Sequence, residues 1–163
     1  MGGGCFAGDG AVAMDERGER TVRVDELQPG DHVFSPVLGR NVEILATTRS
    51  LESRVCTVNR LRISRKHPIK MEPGAEWVFP MNVAKSGVEL LSTPLLVHNF
   101  VLAEGGAMRV NGMDVITLGD NEAAGMGAHE VHAYYGTSRV VEELKALPSW
   151  PACEWGVDVP FAA

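Results

Sequence analysis

Cysteine is scarce in this sequence of 163 residues: Cys5, Cys56 and Cys153 are the full complement, and no two of them form a CxxC pair. An odd, scattered set excludes a disulfide framework and a zinc site built from cysteine. Reduced thiols in an intracellular compartment are therefore expected. Charge of a single sign is missing too. The 15 Lys+Arg stand against 21 Asp+Glu, a formal net charge of -6, with no basic stripe, which argues against nucleic-acid binding. No apolar run approaches the length that crosses a bilayer. The first residues carry neither the charged nor the apolar part of a secretory signal, so a cytoplasmic location is expected. Met1-Gly2-Gly3-Gly4-Cys5 opens like a myristoylation signal but has Phe6 where Ser or Thr belongs, so no lipid anchor is expected.

What is present is β-type sequence cut into short pieces. The 18 glycines and 9 prolines are dispersed as punctuation rather than gathered into a linker, and no internal repeat is visible. Ala11-Val12-Ala13-Met14, Thr21-Val22-Arg23-Val24 and His32-Val33-Phe34 are separated by turn signals at Asp15-Glu16-Arg17-Gly18 and Gln28-Pro29-Gly30-Asp31. Residues 41–48 and 55–63 are the next two expected strands, followed by a Pro73-Gly74 turn and Trp77-Val78-Phe79. Residues 95–102 and 113–118 are expected strands, with the hairpin dipeptide Asn111-Gly112 between them. The pattern predicts an all-β domain over 1–118. Residues 119–163 form a C-terminal extension: a loop over 119–127, then a helix over about 138–147. Thr137 or Ser138 caps that helix, Val140, Val141, Leu144 and Leu147 share one face, and Pro148 closes it. Trp150, Trp155 and Phe161 make the tail too aromatic for a solvated linker, so the extension is expected to dock on the β domain.

Three motifs carry chemistry. Cys5-Phe6-Ala7-Gly8-Asp9 is followed at set spacing by Val24, Leu27 and Pro29-Gly30-Asp31-His32-Val33. Ser64-Arg65-Lys66-His67-Pro68 closes a strand, and Val97-His98-Asn99-Phe100-Val101-Leu102 begins another. Together these resemble the Hint (Hedgehog/intein) superfamily. Asn-Phe-Val-Leu, Thr117-Leu118-Gly119 and His132-Ala133-Tyr134-Tyr135-Gly136-Thr137 resemble its Vint subgroup, found in proteins that also carry von Willebrand A domains. The resemblance covers residues 2–156 and implies a horseshoe-like β fold. Ser64 stands where the family carries threonine and keeps the hydroxyl, whereas Asp120 and Ala133 replace the subgroup's histidine and proline.

The resemblance implies autoprocessing at the Gly4–Cys5 bond. A thiol next to an amide attacks through a five-membered transition state, so the nucleophile is already in place. Glycine at position 4 removes bulk and tolerates a distorted backbone. The thiolate is the reactive form and needs a base or a local field. By resemblance, Cys5 is the nucleophile of an N–S acyl shift, His67 protonates the departing amine, Ser64 contacts the same peptide, and Asn99 occupies a position where inteins often place aspartate. His98-Asn99 looks like an intein terminus, but Phe100 after it has no nucleophile and residues 115–119 contain no His-Asn pair. Thioester-mediated N-terminal cleavage without splicing is thus expected. Residues 41–63 contain no aspartate to activate an alcohol, and sterol transfer is not expected.

The remaining expectations concern partners. Met-Gly-Gly-Gly is an improbable product, so the chain is expected to be a fragment in which Gly4 stands for an upstream polypeptide in cis. An unidentified nucleophile or small ligand opens the thioester, and no cofactor is expected. His129 and His132 have a spacing that binds zinc if a third ligand is near. Asn99 and His98 are equally readable as structural groups, and Cys56 as core packing. The alternative function is a Hint fold with little or no turnover, acting as a ligand-binding or interaction module. A further expectation is that the extension gates the site.

Overall fold

Alternation of apolar and polar residues along residues 40–58 sets up a strand with one buried face, and it organises the whole fold. The computed structural model describes residues 4–154. Its strands are β1 (Phe6–Ala7), β2 (Ala11–Ala13), β3 (Thr21–Arg23), β4 (His32–Ser35), β5 (Arg40–Val58), β6 (Leu61–Ser64), β7 (Ile69–Lys70), β8 (Glu89–Leu102), β9 (Ala107–Val110), β10 (Met113–Ile116) and β11 (Ala152–Glu154). The helices are α1 (Pro80–Val83) and α2 (Ser138–Lys145), with single 3-10 turns at Val24–Glu26 and Glu122–Ala124. One sheet runs β11-β5-β6-β1-β8, with β4 also on β5 and β5 pairing β8 directly. The second runs β3-β2-β9-β10-β7. The result is the expected all-β, horseshoe-like fold. Among the described residues no helix is long and apolar enough to cross a membrane.

β5 serves four partners along its length: β4 near its start, β8 and β11 along its middle, and β6 at its end. The expected separate strands over 41–48 and 55–63 are therefore wrong in their limits. The polar run 49–54 stays in the strand because it pairs with β8, and the chain reverses at Asn59 and Arg60, both at positive φ (46° and 65°). Neither residue gave a turn signal in the sequence. β8 likewise begins at Glu89 rather than 95. Pro94, which has no N–H for the ladder, lies where the β5–β8 register shifts between Glu52 and Arg54. The β9–β10 hairpin turns at Asn111-Gly112 as expected, with φ of 50° and 79°. Asn111 also accepts from the Ala11 amide at 2.8 Å and donates to the Asn59 carbonyl at 2.9 Å, which ties three turns together.

The main core gathers Phe6, Ile44, Cys56, Leu61, Ile63, Phe100, Met108 and Met113 from both sheets. A second cluster joins Ala46, Val101 and Leu118 to Tyr134, Tyr135, Val140, Leu144 and Cys153, so the chain beyond 118 is packed onto the strands. Each such aliphatic side chain taken out of water contributes roughly 1.5–3 kcal/mol. Thr137 caps α2, accepting from the Arg139 amide at 3.4 Å, and Val140 and Leu144 face inward as their spacing requires. β11, which no sequence pattern marked, adds to β5 in parallel opposite Thr47 to Arg49. Trp150 packs against the second cluster, while Trp155 and Phe161 lie outside the described residues.

Candidate active site

The site is built where three neighbouring strands meet the start of the chain. β1 lies between β6 and β8, pairing Phe6 with Ile63 on one side and with His98 on the other. Cys5 is thereby placed beside Ser64, the last residue of β6, and Gly4 beside Asn99 in β8. Ser64 grips both polar groups of Cys5: its Oγ accepts from the Cys5 amide at 2.9 Å and donates to the Cys5 carbonyl at 3.0 Å. The Ser64 amide donates to that same carbonyl at 2.9 Å. The serine in place of the family's threonine thus makes the contact for which a hydroxyl is needed.

Asn99 is 1% exposed, and its Nδ2 donates to the Gly4 carbonyl at 2.7 Å. Its Oδ1 accepts from the Phe100 amide at 2.8 Å. A donor partner at one end and an acceptor partner at the other fix which way the amide points. A buried donor aimed at a carbonyl polarises it and is most effective when negative charge develops on that oxygen. Thr48, fully buried, donates to the Asn99 carbonyl at 3.3 Å and steadies the strand.

His67 is fully buried, and its Nε2 lies 2.7 Å from the Ile116 carbonyl. A carbonyl only accepts, so Nε2 carries the proton and Nδ1 is left with a lone pair. Nδ1 has no hydrogen-bond partner and lies against Gly4, where an added Cβ would fall 2.7 Å from it. Burial pushes the His67 pKa down to about 4, against smaller opposing contributions from the main chain of Ile116 and Gly4. Phe6 meets the imidazole edge-on, with centroids 5.4 Å apart. Gly4 itself has φ +57°, a conformation that favours glycine, so the backbone and the approach of His67 both exclude a side chain there.

The Cys5 thiol is pushed up to about 12, first by burial; Glu52 adds to the rise and a hydrogen bond from Ser50 Oγ, 3.8 Å from Sγ, opposes it. The ground state therefore holds a protonated thiol. Ser50 had no signal in the sequence, because it comes from the stretch of β5 whose pairing was not foreseen, and Thr48 lies in an expected strand but carried no motif. His98 stands apart from the Gly4 bond: its Nε2 would lie 3.0 Å from a Cβ on Gly8, and its charge interacts with Asp25.

The sequence matches Vint, described as a Hint-domain, over residues 4–155. The chain belongs to the Vint family. No curated protein matches it. Among solved structures, a bacterial intein-like domain from Clostridium thermocellum is similar with a TM-score of 0.54 at 16% identity, covering 69% of this chain and 98% of that one. The gp41-1 intein is similar with a TM-score of 0.50 at 15% identity, covering 71% of this chain and 99% of that one. At such identities the likeness is one of fold. This Vint domain also carries structure beyond what those domains match.

The segment after β10 also reaches the site. Tyr135 is 7% exposed, and its phenol is pushed up to about 12 by burial and, second, by electrostatic coupling to the nearby Cys5 thiol. The loop that presents it is fixed by main-chain bonds from Gly119 to the Tyr135 carbonyl and from Asn121 to the Gly136 carbonyl, both 3.0 Å. The zinc expectation at His129 and His132 finds no support here. His132 Nδ1 accepts from the Tyr134 and Tyr135 amides, both at 3.1 Å, so it has no lone pair left for a metal on that nitrogen. Among the described residues no three His, Cys, Asp or Glu side chains gather as a metal set. Cys56 and Cys153 are fully buried within the two hydrophobic clusters.

Proposed function

We propose that this Vint domain cleaves the chain before Cys5 by an N–S acyl shift and does not splice. The observation that carries the proposal is the 2.7 Å bond from Asn99 Nδ2 to the Gly4 carbonyl, the bond that must be attacked. Cys5 Sγ adds to the Gly4 carbonyl carbon, and Asn99 stabilises the oxygen as it becomes negative. The thiol proton passes to the Cys5 nitrogen with His67 Nδ1 as the relay. The C–N bond then breaks, leaving a thioester on Sγ and a free amine on Cys5. Ser64 keeps the Cys5 backbone in place through the exchange. An external nucleophile opens the thioester and releases the upstream polypeptide, for which a von Willebrand A-containing protein is the proposed source.

Three features support cleavage without splicing. Asn99 lies within β8, paired with Thr48, so the chain continues past it. Its Nδ2 is held on Gly4 rather than turned toward its own carbonyl. The following residue, Phe100, has no nucleophile. The test is a fusion carrying a folded protein before Gly4, with intact-mass analysis after treatment with dithiothreitol or hydroxylamine. Cleavage after Gly4 is expected in the parent and none in Cys5→Ala. An uncleaved parent under every condition sinks the proposal.

The second reading is a Hint fold with little turnover that acts as a binding module. A thiol pushed up to about 12 favours it, since so little thiolate exists at neutral pH. The same fusion distinguishes the two.

A further inference from the structure

A cavity of about 210 Å³ opens beside Gly4 and Asn99. Ile116, Thr117 and Leu118 form one side, and Asn121, Met126 and Tyr135 close it from the segment beyond the strands. It adjoins a wider recess of about 450 Å³, with which it shares Pro68, Phe79, Met126 and Glu130. Thr117 is 1% exposed, and its Oγ1 has no hydrogen-bond partner. A buried hydroxyl without a partner costs about 1–3 kcal/mol, and native proteins rarely leave one so. In the recess, Trp77 Nε1 is likewise buried without a partner. The cavity and recess are thus lined by apolar side chains, by Lys66, Glu130 and His132, and by two polar groups, Thr117 Oγ1 and Trp77 Nε1, that no described residue satisfies.

We infer that this cavity seats the nucleophile that opens the thioester, a small molecule bearing a hydroxyl or an amine. The inference rests on the acyl shift proposed above. The 210 Å³ next to Gly4 seats a small reacting group, and the adjoining recess leaves room for a longer substituent. A hydroxyl both donates and accepts, so Thr117 Oγ1 pairs with either an O–H or an N–H nucleophile. Ile116, Phe79 and Met126 take a short carbon chain. In the reaction the oxygen or nitrogen of the nucleophile bonds to the Gly4 carbonyl carbon while the C–S bond to Cys5 breaks. Sulfur takes the electron pair, and the proton lost by the nucleophile ends on it. The upstream product then terminates in an ester or an amide, and the Cys5 thiol is restored. On this view the segment beyond 118 forms a wall of the binding site.

The experiment uses the upstream fusion of the full chain with ethanolamine as the probe and an amine-terminated polyethylene glycol, too large for the cavity, as comparator. Native cleavage is followed by intact mass. Thioester content is read separately by unfolding in acidic guanidinium and then adding hydroxylamine, which bypasses the cavity. Cleavage is expected to saturate with ethanolamine and to gain nothing from the polymer. Thr117→Val should slow it about tenfold, the factor carried by one hydrogen bond, and Met126→Trp should abolish saturation. Thioester content should stay at the parental level in both. A linear dependence on ethanolamine with equal rates in parent and variants overturns the inference, as does equal reactivity of the polymer. Variant effects that follow the residue placed before Gly4 rather than the probe would assign the cavity to the upstream chain instead. An absence of thioester in the unfolded parent removes the acyl shift and this inference together, a result distinct from normal thioester with unsaturable cleavage.

Discussion

In residues 4–118 the groups around Gly4 and Cys5 come from strands locked by cross-pairing, with Ser64 on β6 and Asn99 on β8 flanking β1. Residues 119–154 comprise a loop, an eight-residue helix and a three-residue strand, and the loop approaches the same bond. The first region makes direct hydrogen bonds to the peptide, at 2.7 Å from Asn99 and 2.9 Å from Ser64. The second contributes Tyr135 and the far wall of a cavity. Hydrogen bonds that must hold within tenths of an ångström are better placed on paired strands, whose positions are fixed by many neighbours. Access and selectivity tolerate looser support, and loops carry them more often. Under the proposed reaction, bond activation belongs to the strands and nucleophile choice to the appended segment.

The sharpest way to break that division is Asn99→Ala. Loss of the donor on the Gly4 carbonyl should slow thioester formation about 10²–10³-fold with the fold retained, as judged by acid-quenched thioester content over time. A rate within twofold of the parent would move activation elsewhere.

His67 offers the next largest effect, in stability. Its pKa of about 4 in the folded chain lies below the 6.5 of an exposed imidazole. Between these values the unfolded state binds more protons, so stability rises with pH across the window. The contribution is complete above pH 6.5 and lost as pH falls toward 4, amounting to about 3 kcal/mol. Urea unfolding of Cys5→Ala, with and without His67→Gln, measures it as the difference in pH slope. Equal slopes would mean that the imidazole is not buried neutral.

Gly4→Ala tests the fit between the two partners of the bond. The left-handed conformation costs about 1–2 kcal/mol with a side chain, and the new Cβ meets Nδ1 of His67. Thioester formation should fall about tenfold or more, while Gly3→Ala serves as the control for bulk one residue upstream. Parental rates in Gly4→Ala would show that the chain enters the site along another path.

The smallest effect is expected in the appended segment. Thr137→Ala removes the cap of α2 and should lower thermal stability by about 1 kcal/mol. Thioester content is expected to remain at the parental level, because α2 contacts none of the groups that activate the bond. A loss of thioester as large as that from Asn99→Ala would dissolve the contrast between the regions.

Much of this site was legible residue by residue. Cys5, Ser64, His67 and Asn99 stood out because a hydroxyl, an imidazole and an amide recur at fixed distances from a Cys-Phe-x-Gly-Asp opening. The structure brings all four to the Gly4–Cys5 peptide. Turns with chemical signatures, such as Asn111-Gly112 and the Thr137 cap, were legible for the same reason. The length of β5 was not, since the polar run 49–54 has no pattern of its own and is a strand only because β8 lies beside it. Ser50 was hidden with it. β11 was hidden because three residues carry too little periodicity to mark a strand before β5 offers an edge.

The sequence by itself determined the short-range chemistry: which atom is the proposed nucleophile, which groups are able to donate or accept, and where the chain turns. These depend on side-chain identity and on neighbours within a few residues. Tertiary structure decided what depends on distant partners. It set the neutral tautomer of His67 through the Ile116 carbonyl, turned Asn99 toward Gly4, enclosed Cys5 until its thiol held its proton, and left Thr117 facing no partner. Burial and hydrogen-bond geometry arise only when distant segments, such as Gly4 and Asn99 at 95 residues apart, meet in one place.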